Sequence, residues 1–309
     1  MLHRPSVIGA GLLPIALRRC LRRYFPRPPV NFRARDSAPA QIDADVAYAF
    51  QVARAYLSYF AAEGIDPRGK TVLELGPGIN LGGAFLLASH GAHLIVADRF
   101  LADWDARYHG RFYTALRNAL AARDPTADPA VLDRLVQRSS YTDDDVRRVR
   151  CGAEDLRGIL DASIDAVVSN AVLEHLSDLP AACRELARVS KPLAWQFHQV
   201  DFRDHRDFAR PLEYLLLGDR EFRRTFAERH GECGSQWRPC EVAQFFEKAG
   251  FEVIRFEPNM FADEHYLAEL APRLKSSVSR YRNTPIADLR PLGGLFRIRR
   301  LPSALQPRD

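Results

Sequence analysis

Cysteine is scarce. The chain has 309 residues and five cysteines, at 20, 151, 183, 233 and 240. No two are spaced C-x-x-C, which excludes a disulfide framework and a simple zinc knuckle. Reduced thiols fit a cytoplasmic protein. No run approaches the ~18 consecutive apolar residues of a membrane-spanning helix. Acidic residues are missing from positions 1 to 35, which hold Arg4, Arg18, Arg19, Arg22, Arg23, Arg27, Arg33 and Arg35. The net charge of +5 is therefore local, and the rest of the chain is slightly acidic. A nucleic-acid groove across the body has no support, because such grooves are lined with Lys and Arg. What is present is ordinary for a folded chain: 47% hydrophobic and 27% charged residues, enough for one large α/β domain with insertions.

Residues 1–40 read as a basic leader. The apolar run from Val7 to Leu17 is followed by four arginines and by no small-residue cleavage site, the reverse of a secretory signal. Leu13, Leu17 and Leu21 with the flanking arginines suit a short amphipathic helix on an anionic membrane surface. A disordered leader ending at the Pro-rich stretch 26–29 is the first reading. Peripheral contact at the inner membrane surface through residues 1–35 is the alternative, for a protein otherwise placed in the cytoplasm.

From residue 41 onward the pattern is regular. Ile42, Val46, Phe50, Ala53, Leu57 and Phe60 recur at helical spacing. Strands are expected at 71–76, 93–98, 147–153, 164–170, 193–200, 251–257 and 294–300, with helices between them. Such alternation implies a doubly wound, mostly parallel seven-stranded sheet with helices on both faces. Helical insertions are expected at about 99–145 and 203–238, forming a lid over the site. In such a sheet, ligands bind beyond the carboxyl ends of the strands.

The most informative segment is VLELGPGINLGG (72–83). An apolar strand runs into Gly76-Pro77-Gly78, where bare backbone can turn sharply and approach a ligand. Asp98 ends the next strand and can accept both hydroxyls of a ribose. A dinucleotide fingerprint wants a third glycine where Leu81 stands. Glu74 would repel pyrophosphate but suits a cationic amino-acid moiety. No Tyr-x-x-x-Lys pair occurs, so a short-chain dehydrogenase lacks its catalytic residues.

The chain thus resembles the class I S-adenosylmethionine-dependent methyltransferases, on E-L-G-P-G (74–78), Asp98, A-E-D-L (153–156) and IDAVVSNAVLEHL (164–176). The resemblance spans roughly residues 65–257. It implies a Rossmann-like methyltransferase fold and S-adenosylmethionine as cofactor. It places Gly76, Pro77 and Gly78 under the methionine moiety, with Glu74 supporting the loop and the ammonium group. Asp98, with Arg99 beside it, falls at the ribose. Relatives often carry Asp where this chain has Gly152, so Ala153 and Glu154 are assigned to the adenine. Asn170 falls on the methyl-donor channel.

Methyl transfer needs two partners held in line in a water-poor site. An aliphatic hydroxyl acceptor also needs a base within reach. His175, after the fourth strand, and His198 and Asp201, at the end of the fifth, are the candidates, with Asp204 and His205 in the following loop. These residues have metal-capable composition but no defined ligand spacing, so no metal site is assigned. Trp104, Tyr108, Phe112, Tyr113, Tyr214, Phe222, Phe226 and Trp237 either roof the acceptor or pack the core. The expected activity is O-methylation of a small molecule, glycan or glycolipid hydroxyl. N-methylation of an amine and a nonenzymatic cofactor-binding partner are the alternatives.

Overall fold

The computed structural model describes residues 39–224 and 235–302. The basic leader, Cys20, Phe226 and Cys233 lie outside the described residues. Helix α1 (Pro39–Ala62) buries Ile42, Val46, Phe50, Ala53 and Phe60, as their spacing predicts, together with Asp45 and Tyr56. Then come β1 (Thr71–Leu75), α2 (Gly82–Ala88), β2 (His93–Ala97), α3 (His109–Arg123), α4 (Ala130–Arg138), β3 (Arg147–Val149) and β4 (Ile164–Asn170). The chain continues through α5 (Leu179–Val189), β5 (Ser190–Asp201), α6 (Pro239–Lys248), β6 (Phe251–Phe261), α7 (Glu264–Lys275) and β7 (Pro291–Arg300).

The seven strands form one sheet in the order β3-β2-β1-β4-β5-β7-β6. The first five are parallel, and β7 runs antiparallel between β5 and β6. The chain winds outward from β1 to β3 and then restarts on the other side at β4. The order therefore reverses between β1 and β4, which opens a crevice at their carboxyl ends. Register aligns that edge: Leu75 lies opposite Ala97 on one side and Ser169 on the other. Gly76, Asp98 and Asn170 therefore leave the sheet at one level.

Alternate strand residues point to opposite faces. Val72, Val96, Ala166, Val168 and Phe197 pack under α1, α2, α3 and α4. Leu73, Leu75, Ile95 and Val167 pack on the other face against α5 and α6. A third apolar cluster joins Leu212, Tyr214, Leu215, Leu217 and Phe222 to Leu267, Leu270, Leu274, Tyr281, Leu289 and Leu292. It makes a small lobe beyond the end of β5.

Four expectations need correction. β3 stops at Val149, because the chain turns at Cys151 and Gly152 instead of continuing along the sheet margin. β6 runs to Phe261, carried by its pairing with β7. The described part of 203–238 holds a 3-10 turn (Glu213–Leu216) and one helical turn (Asp219–Phe222) that runs on to residue 224. It packs against α7 as part of the lobe, so it is not a free lid. The insertion at 99–145 is helical, yet it lies behind the glycine-rich loop, where it is buried in the core.

Candidate active site

The loop after β1 is shaped by its glycines. Gly76 and Gly78 have φ of 61° and 74°, conformations that cost other residues energy. A Cβ on Gly76 would sit 2.5 Å from Val172 Cγ2, whereas one on Gly78 would meet nothing within 4 Å. Gly76 therefore closes the loop against the β4 turn, and Gly78 leaves room for a ligand. The two later glycines have a different task. A Cβ on Gly82 would lie 2.7 Å from Ala49 Cβ and 2.9 Å from Phe112 Cζ, and one on Gly83 would lie 3.2 Å from Val52. They let α2 press against α1.

Glu74 lies behind this loop, only 3% exposed. Tyr56 of α1 donates to its Oε1 at 3.1 Å, and its Oε2 has no partner. Burial pushes its pKa up to about 7, against the opposing pull of the Tyr56 bond. The aromatic insertion holds the loop from outside. Asn80 donates to Tyr108 at 3.0 Å, Tyr113 donates to the Asn80 carbonyl, and Tyr108 donates to Asp45 at 2.5 Å. His109 accepts from Asp105 N–H at Nδ1 (2.7 Å), so its Nε2 carries the proton facing the Ile79 carbonyl at 3.3 Å. Trp104, Tyr108, Phe112 and Tyr113 are thus packing residues of the loop's support and not an acceptor roof.

Asp98 is half-buried at the tip of β2. Its Oδ1 accepts from Phe100 N–H at 2.6 Å, and burial raises its pKa. The Phe100 ring is 58% exposed beside it. Arg99 turns to Glu154, with Nη2 2.8 Å from Oε2. Glu154 Oε1 in turn accepts from Ser177 N–H and Oγ at 3.1 and 2.9 Å. A Cβ on Gly152 would lie 2.3 Å from Arg99 Nε. Gly152 therefore makes space for the Arg99–Glu154 pair. Ala153 is buried beneath. Asn170, at the end of β4, donates to the Tyr48 hydroxyl of α1 at 2.9 Å.

The acceptor edge differs from expectation at two residues. His198 is fully buried inside β5, stacked on Phe246 at 5.3 Å. Gln196 donates to Ser190, which leaves its Oε1 to accept from His198 Nε2 at 2.9 Å. Ser169 then donates to Nδ1 at 2.8 Å. With both nitrogens spent and burial lowering its pKa to about 3, His198 is a neutral core residue, not a base at the edge. Asp201 does reach the edge, but Arg203 grips it at 2.9 and 2.6 Å. Burial would raise its pKa; the Arg203 bonds and His205 outweigh that and hold it well below the usual carboxylate range. It is an anchored anion and a poor proton acceptor. Asp204 is likewise gripped by Arg206, at 2.8 Å through Nε.

His175 sits in a 3-10 turn (Leu173–His175) directly after β4 and is exposed. Its ring meets that of His205 at 4.9 Å between centroids, 66° apart in plane. Glu174, the residue before it, is buried at 3% exposure. Its pKa is pushed up to about 8 by burial and by the nearby charge of Asp201. Asp201 N–H donates to its Oε1 at 3.3 Å. Glu174, His175 and His205 place ligand-capable atoms within 4.8 Å of one another. Sequence reasoning missed Tyr48 and Tyr56, whose positions on α1 carry no motif, and underrated Glu174, whose burial depends on the folded β5 loop.

A glycine-bent loop, a strand-end carboxylate and a reversed strand order are what the sequence pattern led to. A family model described as a methyltransferase domain matches residues 46–255. The chain belongs to this methyltransferase family. No curated protein matches it. Among solved structures it is similar to a putative sarcosine dimethylglycine methyltransferase from Galdieria sulphuraria, with 14% identity, TM-score 0.47 and coverage of 82% of this chain and 86% of that one. It is also similar to an S-adenosylmethionine-dependent methyltransferase from Mesorhizobium loti, with 16% identity, TM-score 0.43 and coverage of 76% and 93%. A third is phosphoethanolamine N-methyltransferase 2 from Haemonchus contortus in complex with S-adenosyl-L-methionine, with 16% identity, TM-score 0.46 and coverage of 90% and 62%.

The chain is therefore an S-adenosylmethionine-dependent methyltransferase, and its residues fit that cofactor. The open face at Gly78 and the partnerless buried Oε2 of Glu74 suit a cationic ligand lying along the loop.

Proposed function

We propose that this methyltransferase modifies a hydroxyl oxygen of a small molecule, glycan or glycolipid. The single observation that carries the reading is the cluster of Glu174, His175 and His205 beside Asp201, at the carboxyl edge of β4 and β5. An amine acceptor needs little more than positioning, whereas an aliphatic hydroxyl must lose a proton. Two imidazoles beside two carboxylates form a place for that proton.

In this reading the Gly76-Pro77-Gly78 backbone and Glu74 hold the methionine end of the cofactor, and Asp98 holds the ribose. The Arg99–Glu154 pair and Ala153 border the adenine, and Asn170, fixed by Tyr48, lines the channel between donor and acceptor. When bound, S-adenosylmethionine supplies an electrophilic methyl on a positively charged sulfur. The protein's part is to orient the acceptor, exclude water, and take the hydroxyl proton at His175. Asp201, fixed by Arg203, stands 3.5 Å from His205 Nε2 at the same edge. The place of action is the cytoplasm, with residues 1–35 touching the inner membrane surface.

Incubation of a cell extract with methyl-labelled cofactor, followed by mass identification of the product, tests the acceptor atom. Label on oxygen is the expected outcome; label on nitrogen replaces this reading with N-methylation. His175→Ala should slow an oxygen acceptor by roughly 100-fold, with cofactor affinity unchanged. A loss under about threefold would remove His175 from the reaction.

A further inference from the structure

We propose that Glu174, His175 and His205 bind one divalent transition-metal cation of the Zn²⁺ or Co²⁺ type, leaving a coordination position open towards the acceptor. Three observations carry this. The ligand atoms of all three side chains already lie within 4.8 Å of one another. In a tetrahedral site with ligands at about 2.1 Å, neighbouring ligand atoms are roughly 3.4 Å apart.

The second observation is a missing partner. Glu174 is 3% exposed, and its Oε2 has no hydrogen bond. His205 Nε2 is also buried without one; Asp201 Oδ2 stands 3.5 Å away but without hydrogen-bond geometry. Buried polar atoms are ordinarily satisfied, and a buried carboxylate is ordinarily paired with a cation or bound to a metal. Two such atoms in one three-residue cluster point to an occupant.

The third observation is the chemistry of the set. Two imidazoles and one carboxylate are ligands of zinc-like cations, and three protein ligands with an open fourth position are the pattern of reactive sites. Asp201 Oδ2, held by Arg203, stands 3.5 Å from His205 Nε2 and adds negative charge beside the cluster. Two loops bring the ligands together. His175 is fixed by its N–H to the Val172 carbonyl at 2.9 Å, and the turn carrying His205 is tied by Asp204 N–H to the Pro211 carbonyl at 2.8 Å.

The role of the open position rests on the proposed hydroxyl acceptor; the binding of the cation does not. A hydroxyl oxygen in that position would lose its proton more easily; His175 would then serve as a ligand, and the proton would pass to solvent water instead of to His175.

The full chain, freed of metal by dialysis against a chelator, is re-dialysed against Zn²⁺ and, separately, Co²⁺. Metal content is read by elemental mass spectrometry, and the Co²⁺ protein by its visible spectrum. One equivalent is expected, with the intense visible bands of a low-coordinate Co²⁺ site. His175→Ala, at an exposed position, and His205→Gln should each weaken retention by about 10-fold or more, while S-adenosylmethionine titrates as in the parent protein. No metal retained by the parent, or equal retention by His175→Ala, overturns the proposal. Oxygen methylation by a protein proven free of metal also counts against a role for the cation while sparing the function. Nitrogen methylation by a metal-loaded protein spares the cation site and removes the hydroxyl.

Discussion

Glu74 and His198 are both buried, and burial favours the uncharged form of each. Glu74, about 7 in the folded chain against 4.5 for an ordinary carboxyl, binds its proton more tightly folded than unfolded. The sign follows: below about pH 4.5 both states are protonated and the folded state keeps its full stability, which is lost as the pH rises through 7. Glu74→Gln should therefore make the cofactor-free protein more stable at pH 8, by at most about 3 kcal/mol, with little gain at pH 5. Its affinity for S-adenosylmethionine should fall at both. Urea melts at the two pH values, with calorimetric titration of the cofactor, check this; a gain independent of pH would mean that the carboxylate is not strained. His198 shows what residue type alone hides. Its letter reads as a base, but Ser169 and Gln196, from two neighbouring strands, turn it into a neutral packing residue. Glu174 shows the opposite error, since only the folded β5 loop brings the Asp201 N–H and the His205 ring to it.

At the scale of elements, β1, β2 and β4 were readable because a buried parallel strand is a short apolar run with a fixed punctuation: glycine after one, aspartate after another. The edge strand β3 was placed correctly but drawn too long, because the three arginines in RRVR leave no apolar run to mark its end. Helix α7 was not readable, because its apolar residues bury themselves in a lobe assembled from residues some fifty positions apart. The glycines at 82 and 83 were visible, but their purpose was not, because it lies in the approach of α1. Gly82→Val should lower stability by about 1–3 kcal/mol through overpacking, since the added carbons meet Ala49 and the Phe112 ring. A thermal melt measures this. An unchanged melting temperature would show that α1 and α2 have room to separate.

Across the whole molecule, one side chain ties sheet and lobe together. Arg238 is 1% exposed and donates to the carbonyls of Phe202 at 3.2 Å and Leu289 at 3.0 Å, and also to that of Pro291. Its guanidinium lies over the Phe202 ring, 5.2 Å from the centroid. It therefore joins the exit of β5 to the entry of β7. Arg238→Met should cost about 2–4 kcal/mol by stranding these carbonyls, and should slow acceptor turnover more than it weakens cofactor binding. Denaturation and separate binding and rate measurements would show it; equal losses in both would place Arg238 outside the acceptor side. The strand that Arg238 anchors is also translated after every other strand of the sheet, although it sits between two older ones. A nascent chain must keep β5 and β6 apart and their edges unpaired until β7 emerges from the ribosome, so this interval is when a folding helper, or a misfolded contact, has its opening.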